Sequence, residues 1–225
     1  MEESRILAVP RRHPRVERCR VTVFARTATF QGRPDTIEAG MVFQRDESVP
    51  TILAMPKCIG MSVLADRTSG MCIVTTAWQT RDDMHASVSK IRPIRDRTAK
   101  ILGAAPELEE WEVAAMHRQH GSATANCARV TWLKVDSGGA DVLIDDFVSV
   151  TLPALNQIRG FCGASLLVNR EWGRAAVSVA YDNPDAVRSR LTRSDGQSQL
   201  GSNIILVRDF DTVMPHLRVP DLASY

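Results

Sequence analysis

Apolar and polar positions alternate over residues 20–28, where β-branched side chains are frequent, and a period of two predicts a strand. Residues 34–54 then read as a helix. Pro34 stands at its start, where a missing N–H is tolerated, and Pro50 is expected to bend or break its end. Two further apolar runs, 58–66 and 71–78, flank Asp66-Arg67-Thr68-Ser69-Gly70 and predict a hairpin, with Gly70 free to take positive φ. Thr80 and Asp83 have capping-box spacing. Met84, Val88, Ile91, Thr98 and Ile101 then define one apolar face of a second helix, and residues 108–116 read as a closing strand.

The pattern then recurs. Arg20-Val21-Thr22-Val23 returns as Arg129-Val130-Thr131-Trp132, and the stretch from Pro50 to Met84 overlays Pro153 to Val187 without a gap. Pro50 meets Pro153, Gly60 meets Gly163, Arg67 meets Arg170, Gly70 meets Gly173 and Trp78 meets Tyr181. The second copy reads as a strand at 128–136, a helix over about 140–158, a hairpin of 161–169 with 174–181, a helix capped by Asn183 with Pro184 at its first position, and a strand at 202–209. Leu143, Phe147, Val150, Ala154 and Ile158 are expected on the inner face of its first helix. Each copy is thus βαββαβ, the ferredoxin-like order, and the fold class is α+β. Four strands with helices on one face leave the other face bare. Because the strands look apolar on both sides, that face is expected to pack on the second copy in one intrachain barrel.

The organisation read from these patterns is a flexible leader at 1–19, a first repeat at 20–117, a linker at 118–127, a second repeat at 128–210 and a tail at 211–225. Six arginines crowd the first twenty residues, but the chain carries a net charge of only +2, so no nucleic-acid partner is expected. No apolar run is long enough to span a membrane, so no membrane association is expected either. Five widely spaced cysteines, none in a C-x-x-C pair, suit a reducing cytoplasm. No phosphate-binding glycine loop, nucleophile elbow or H-E-x-x-H helix occurs. His117 and His120 have H-x-x-H spacing without a third ligand, so no metal site is expected.

Two segments carry a family resemblance. Met55 to Arg67 is the first; Ser69-Gly70 followed by Thr75-Thr76-Ala77-Trp78-Gln79-Thr80-Arg81-Asp82-Asp83-Met84 is the second. They resemble the glycine hairpin and tryptophan-led helix start of antibiotic-biosynthesis-monooxygenase domains. Ile158 to Gly163 and Ala180 to Ala186 match the same pattern more loosely. The resemblance implies a dimeric-type α/β barrel made within one chain, either a monomer or a further homodimer. It also implies a small-molecule ligand.

Three functions stay open. One is a cofactor-independent monooxygenase acting on a small apolar or aromatic compound, with no cofactor. There His85 and Arg26 would be catalytic, and Trp78, Met84 and Val88 would bind the ligand. His85, near the start of the helix after Trp78, suits a general base toward a phenol. Arg26, if buried, needs an anion or a carboxylate such as Glu112. The second function is a haem protein, against which stand the lack of Asn in 20–28 and of His in 121–215. The third is a non-catalytic binding or structural barrel. For Trp78, packing in the core is the simplest role.

Overall fold

A computed structural model describes residues 22–118, 125–136, 138–185 and 204–217, the last five as backbone. The leader, His120, the part of the expected last helix beyond Asp185 and the chain after Leu217 lie outside the described residues.

The first half comprises β1 (Val23–Gln31), α1 (Ile37–Phe43), α2 (Val49–Leu53), β2 (Cys58–Asp66), β3 (Met71–Trp78), α3 (Arg81–Ala86), α4 (Val88–Leu102) and β4 (Pro106–Arg118). The second comprises β5 (Cys127–Lys134), α5 (Gly139–Asp146), α6 (Leu152–Leu155), β6 (Phe161–Asn169), β7 (Arg174–Tyr181) and β8 (Ile204–Leu217). Both hairpins fall where the sequence places them. Gly70 takes φ 74°, and a Cβ there would collide with the Gly32 carbonyl. Thr80 caps α3, its hydroxyl accepting from the Asp83 N–H at 3.1 Å.

The eight strands close into an antiparallel barrel in the order β1-β3-β2-β8-β5-β7-β6-β4. Each half supplies four strands in the same order, β4-β1-β3-β2 and β8-β5-β7-β6. The halves do more than face each other: β2 bonds to β8 and β4 to β6, so no sheet edge stays open. β8 extends past the expected end at 209, into the segment read as a tail, and pairs Leu217 with Gly60. β4 likewise runs to Arg118, past the expected strand end at 116 and into the expected linker, and its His117 stacks on Phe161.

Arg67 and Arg170 occupy equivalent places. Arg67, in the β2–β3 turn, bonds Glu38 at the start of α1 and Asp211 of β8. Arg170, in the β6–β7 turn, bonds Asp141 of α5 and Glu112 of β4. Each arginine therefore ties a hairpin to its own half and to the other one.

The lumen is a packed core built from Ala25, Trp111, Val113, Leu167, Val130 and Phe210, among others, with about 60 Å³ of space left. Two outer cores lie between sheet and helices, one around Phe30, Ile37 and Leu102, the other around Phe147, Leu152 and Leu166. Cys72 lies in the first of these, and burial pushes its thiol up to about 12. Among the described residues, no helix is long and apolar enough to cross a membrane.

Each first helix is interrupted by a π turn, Gln44–Ser48 in one half and Phe147–Thr151 in the other. Pro50 and Pro153 each follow their turn by two residues, and neither has an N–H for a regular α-helical bond. The wider turn inserts a residue into the helical phase. Val150 and Ala154 therefore face solvent, against expectation, while Leu152 and Leu155 pack inward. In α4 Thr98 is buried as expected, and Leu102 is buried rather than the expected Ile101.

Candidate functional site

The site grows from the alternation along β4. Glu109, Trp111 and Val113 point into the lumen, whereas Leu108, Glu110 and Glu112 point out, toward the helices. On β1 the same alternation sends Ala25 and Thr27 inward and Arg26 outward. The antiparallel register sets Arg26 opposite Glu110. The sequence expectation named Glu112 as partner, but Glu112 instead bonds Arg170 at 3.1 Å. Both glutamates share a face, so alternation alone does not choose between them; register does.

Arg26 is nearly buried, and its Nη2 donates to Glu110 Oε1 at 2.6 Å while Nη1 donates to the Met84 carbonyl at 3.3 Å. The other Glu110 oxygen, Oε2, lies 2.9 Å from His85 Nε2. One carboxylate thus joins the two residues singled out as catalytic in the sequence. Burial works to raise the Glu110 pKa, but the hydrogen bonds and charges of Arg26 and His85 prevail and hold it below the usual carboxylate range.

His85 sits in the last turn of the short α3, rather than at the start of a long helix as its sequence position implied. The helix breaks at Ser87, whose buried hydroxyl donates to the Met84 carbonyl at 2.7 Å. The His85 side chain is 52% exposed.

Above this pair lies a cleft of about 720 Å³. Val88, Arg92 and Arg95, spaced four and three residues apart on α4, form one wall. The opposite wall comes from the second half: Val168 and Asn169 at the end of β6, and Arg170 to Trp172 in the turn to β7. Asn169 Nδ2 donates to the Glu110 carbonyl at 3.0 Å and its Oδ1 accepts from the Trp172 N–H at 2.9 Å, which fixes that wall against β4. Trp172 is 55% exposed. Arg92 and Arg95 have no carboxylate partner among the described residues. Arg81 also borders the cleft, with its guanidinium 5.0 Å from the Phe24 ring centre.

Of the residues expected at the site, Arg26 and Val88 line the cleft, whereas His85 does not line it and is joined to it only by its contact with Glu110. Trp78 and Met84 do not line it; both are buried, at 1% and 0% exposure, and Trp78 Nε1 donates to Thr76 Oγ1 at 3.2 Å. Glu110 and the Asn169–Trp172 wall escaped the sequence reading, because both depend on which distant strands pair.

No protein-family model matches the chain. It is 42% identical over 206 residues to the uncharacterized protein Rv2557 of Mycobacterium tuberculosis (strain ATCC 25618 / H37Rv), covering 89% of this chain and 92% of that protein. Its fold is similar to that of an anthrone oxidase-like protein, with a TM-score of 0.62, 12% identity, and coverage of 88% of this chain and 93% of the other. It is also similar to that of a proposed monooxygenase from Lactobacillus acidophilus NCFM, with a TM-score of 0.61, 8% identity and coverage of 85% and 93%.

Proposed function

We propose that this chain, which belongs to the family of the M. tuberculosis protein Rv2557, is a small-molecule-binding barrel whose cleft presents His85 as a general base to a small aromatic compound. The observation that carries this reading is the Arg26–Glu110–His85 chain at the foot of the cleft. An ionised carboxylate can only accept, so Glu110 requires the proton of His85 on Nε2. In the neutral ring, Nδ1 then holds the lone pair and can take a proton. Arg26 keeps Glu110 charged and in place.

The substrate best matched to such a base is a phenol, or a methylene made acidic by flanking rings. The monooxygenase-like neighbours motivate dioxygen as the oxidant. The methylene would become a carbonyl, one oxygen atom staying in the product and the other leaving in water, with no cofactor. We also propose that the two halves descend from one duplicated unit, on the strength of their equal strand order and equally placed π turns.

Dioxygen uptake with anthrone as probe tests the catalytic reading. His85→Ala should slow uptake by roughly 10²–10⁴-fold. Glu110→Gln should slow it less, since the ring keeps a hydrogen-bonding neighbour. Uptake that His85→Ala leaves unchanged would sink the role of His85. A non-catalytic binding barrel is the second reading, favoured by the half-exposed His85, which leaves the base open to water. Binding without any uptake would select it.

A further inference from the structure

Behind the cleft, between α4, the Gln44–Ser48 turn and the outer faces of β1 and β3, lies a chamber of about 30 Å³. Arg26, Arg95 and Leu108 border both spaces and form the partition between them. Gln44 opens the π turn and reaches into the chamber with 1% exposure. Its Nε2 donates to Thr98 Oγ1 at 2.8 Å, and Thr98 Oγ1 donates to the Ile94 carbonyl at 3.0 Å. The single hydroxyl proton is committed to Ile94, so Thr98 can only accept from Gln44. That fixes the orientation of the amide. Oε1 is left facing the chamber, buried and without a partner among the described residues.

The turn itself does not demand a glutamine. In the register that sets Pro50 against Pro153, Gln44 falls opposite Phe147, which is fully buried among apolar neighbours. A buried amide oxygen without a partner is unfavourable, and an apolar residue serves the same turn in the other half. A chamber of this size is too small for a ring, yet above the roughly 10–15 Å³ that a water-sized group needs.

We propose that the chamber is the distal end of the cleft, and that Gln44 Oε1 accepts a hydrogen bond from a hydroxyl on the ligand. Arg92, which borders the cleft and not the chamber, holds the anionic end of the same ligand, so the compound is an aromatic carboxylate bearing a phenolic hydroxyl, or an organic anion of like shape. Arg95 and Leu108, at the partition, are the side chains that move to admit it. This inference rests on the reading of the cleft as a small-molecule site.

Calorimetric titration of the full chain with 4-hydroxycinnamate, cinnamate and neutral 4-hydroxycinnamide tests it. In the wild type, 4-hydroxycinnamate should bind about three- to tenfold more tightly than cinnamate, the span of one hydrogen bond. Gln44→Met should abolish that ratio. Arg92→Ala should erase the preference of the cleft for the acid over the amide. Equal wild-type affinity for cinnamate and its hydroxylated form would mean that Gln44 serves a bound water, and would overturn the inference while the cleft reading survives. A ratio that persists in Gln44→Met places the hydroxyl elsewhere and overturns it too. Binding of none of the three compounds would overturn the inference, while the cleft reading stands or falls on the anthrone assay. The wild-type comparison needs no variant to fold.

Discussion

The two π turns occupy the same place in the two halves and are lined by opposite chemistry. In the second half Phe147 opens the turn and packs into a continuous apolar core with Leu152 and Leu155. In the first, Gln44 opens it, beside buried Ser48 and Thr98, and a small chamber remains. The same backbone distortion therefore accommodates a closed core and an open one. The sheets beneath are more alike. Arg26 and Glu110 pair on the outer faces of β1 and β4, and Arg129 and Asp209 repeat that pair on β5 and β8 at 2.7 and 2.9 Å. The difference between the halves therefore lies in the turn and in His85, which joins Glu110 in the first half alone among the described residues, rather than in a charged pair on the sheet.

The harshest way to break the comparison is to separate the halves. Expressed alone, residues 1–120 should be insoluble or self-dimerising, because the edges of β2 and β4 lose β8 and β6. Size-exclusion chromatography reads the result, and a stable monomer would mean that one half can close without the other.

Truncation within each core comes next. Phe147→Ala and Trp78→Ala should each destabilise the full chain by about 3–5 kcal/mol in denaturant titrations. Trp78→Ala protein that remains folded should bind ligand as the wild type does, since Trp78 lies outside the cleft. Normal melting with lost binding would move it into the site. Gln44→Leu should differ in sign from the Phe147 change: replacing an unpartnered buried oxygen with a carbon side chain should leave stability unchanged or raise it by about 1 kcal/mol. A loss as large as that of Phe147→Ala would show that Gln44 is part of the scaffold.

The smallest effects separate two adjacent glutamates of β4. Glu110 is held below its ordinary range, so its contribution favours the folded state at neutral pH and is lost as pH falls from the ordinary value, roughly 4, down through the folded one. Glu109 points the other way. Burial in the lumen raises it despite an Arg174 hydrogen bond at 3.0 Å, so stability declines as pH rises from the ordinary value up through the folded one. Melting curves across this range should therefore show Glu110→Gln flattening the acid-side loss and Glu109→Gln gaining on the wild type toward neutral pH. Parallel shifts in the two variants would contradict their opposite environments.

Local chemistry made much of this molecule readable along the chain. Both hairpins, the Thr80 cap and the positive φ of Gly70 depend on residues a few positions apart, and each lies where the pattern predicts. The approximate spans of the first helix in each half also follow from periodicity. Arg26 and His85 were identifiable as polar groups beside apolar faces. Their common partner was not, because the choice of Glu110 over Glu112 rests on the pairing of β1 with a strand more than seventy residues away. Helical phase beyond each π turn could not be read either: an inserted residue rotates Val150 and Ala154 outward, a change that comes from packing and a proline rather than from local periodicity. The barrel seams, the long β8 and the Asn169–Trp172 wall of the cleft belong to the same class. Periodicity specifies which face of a strand or helix is apolar, but edge pairing and register are settled only when distant strands meet, and the site lies where they do.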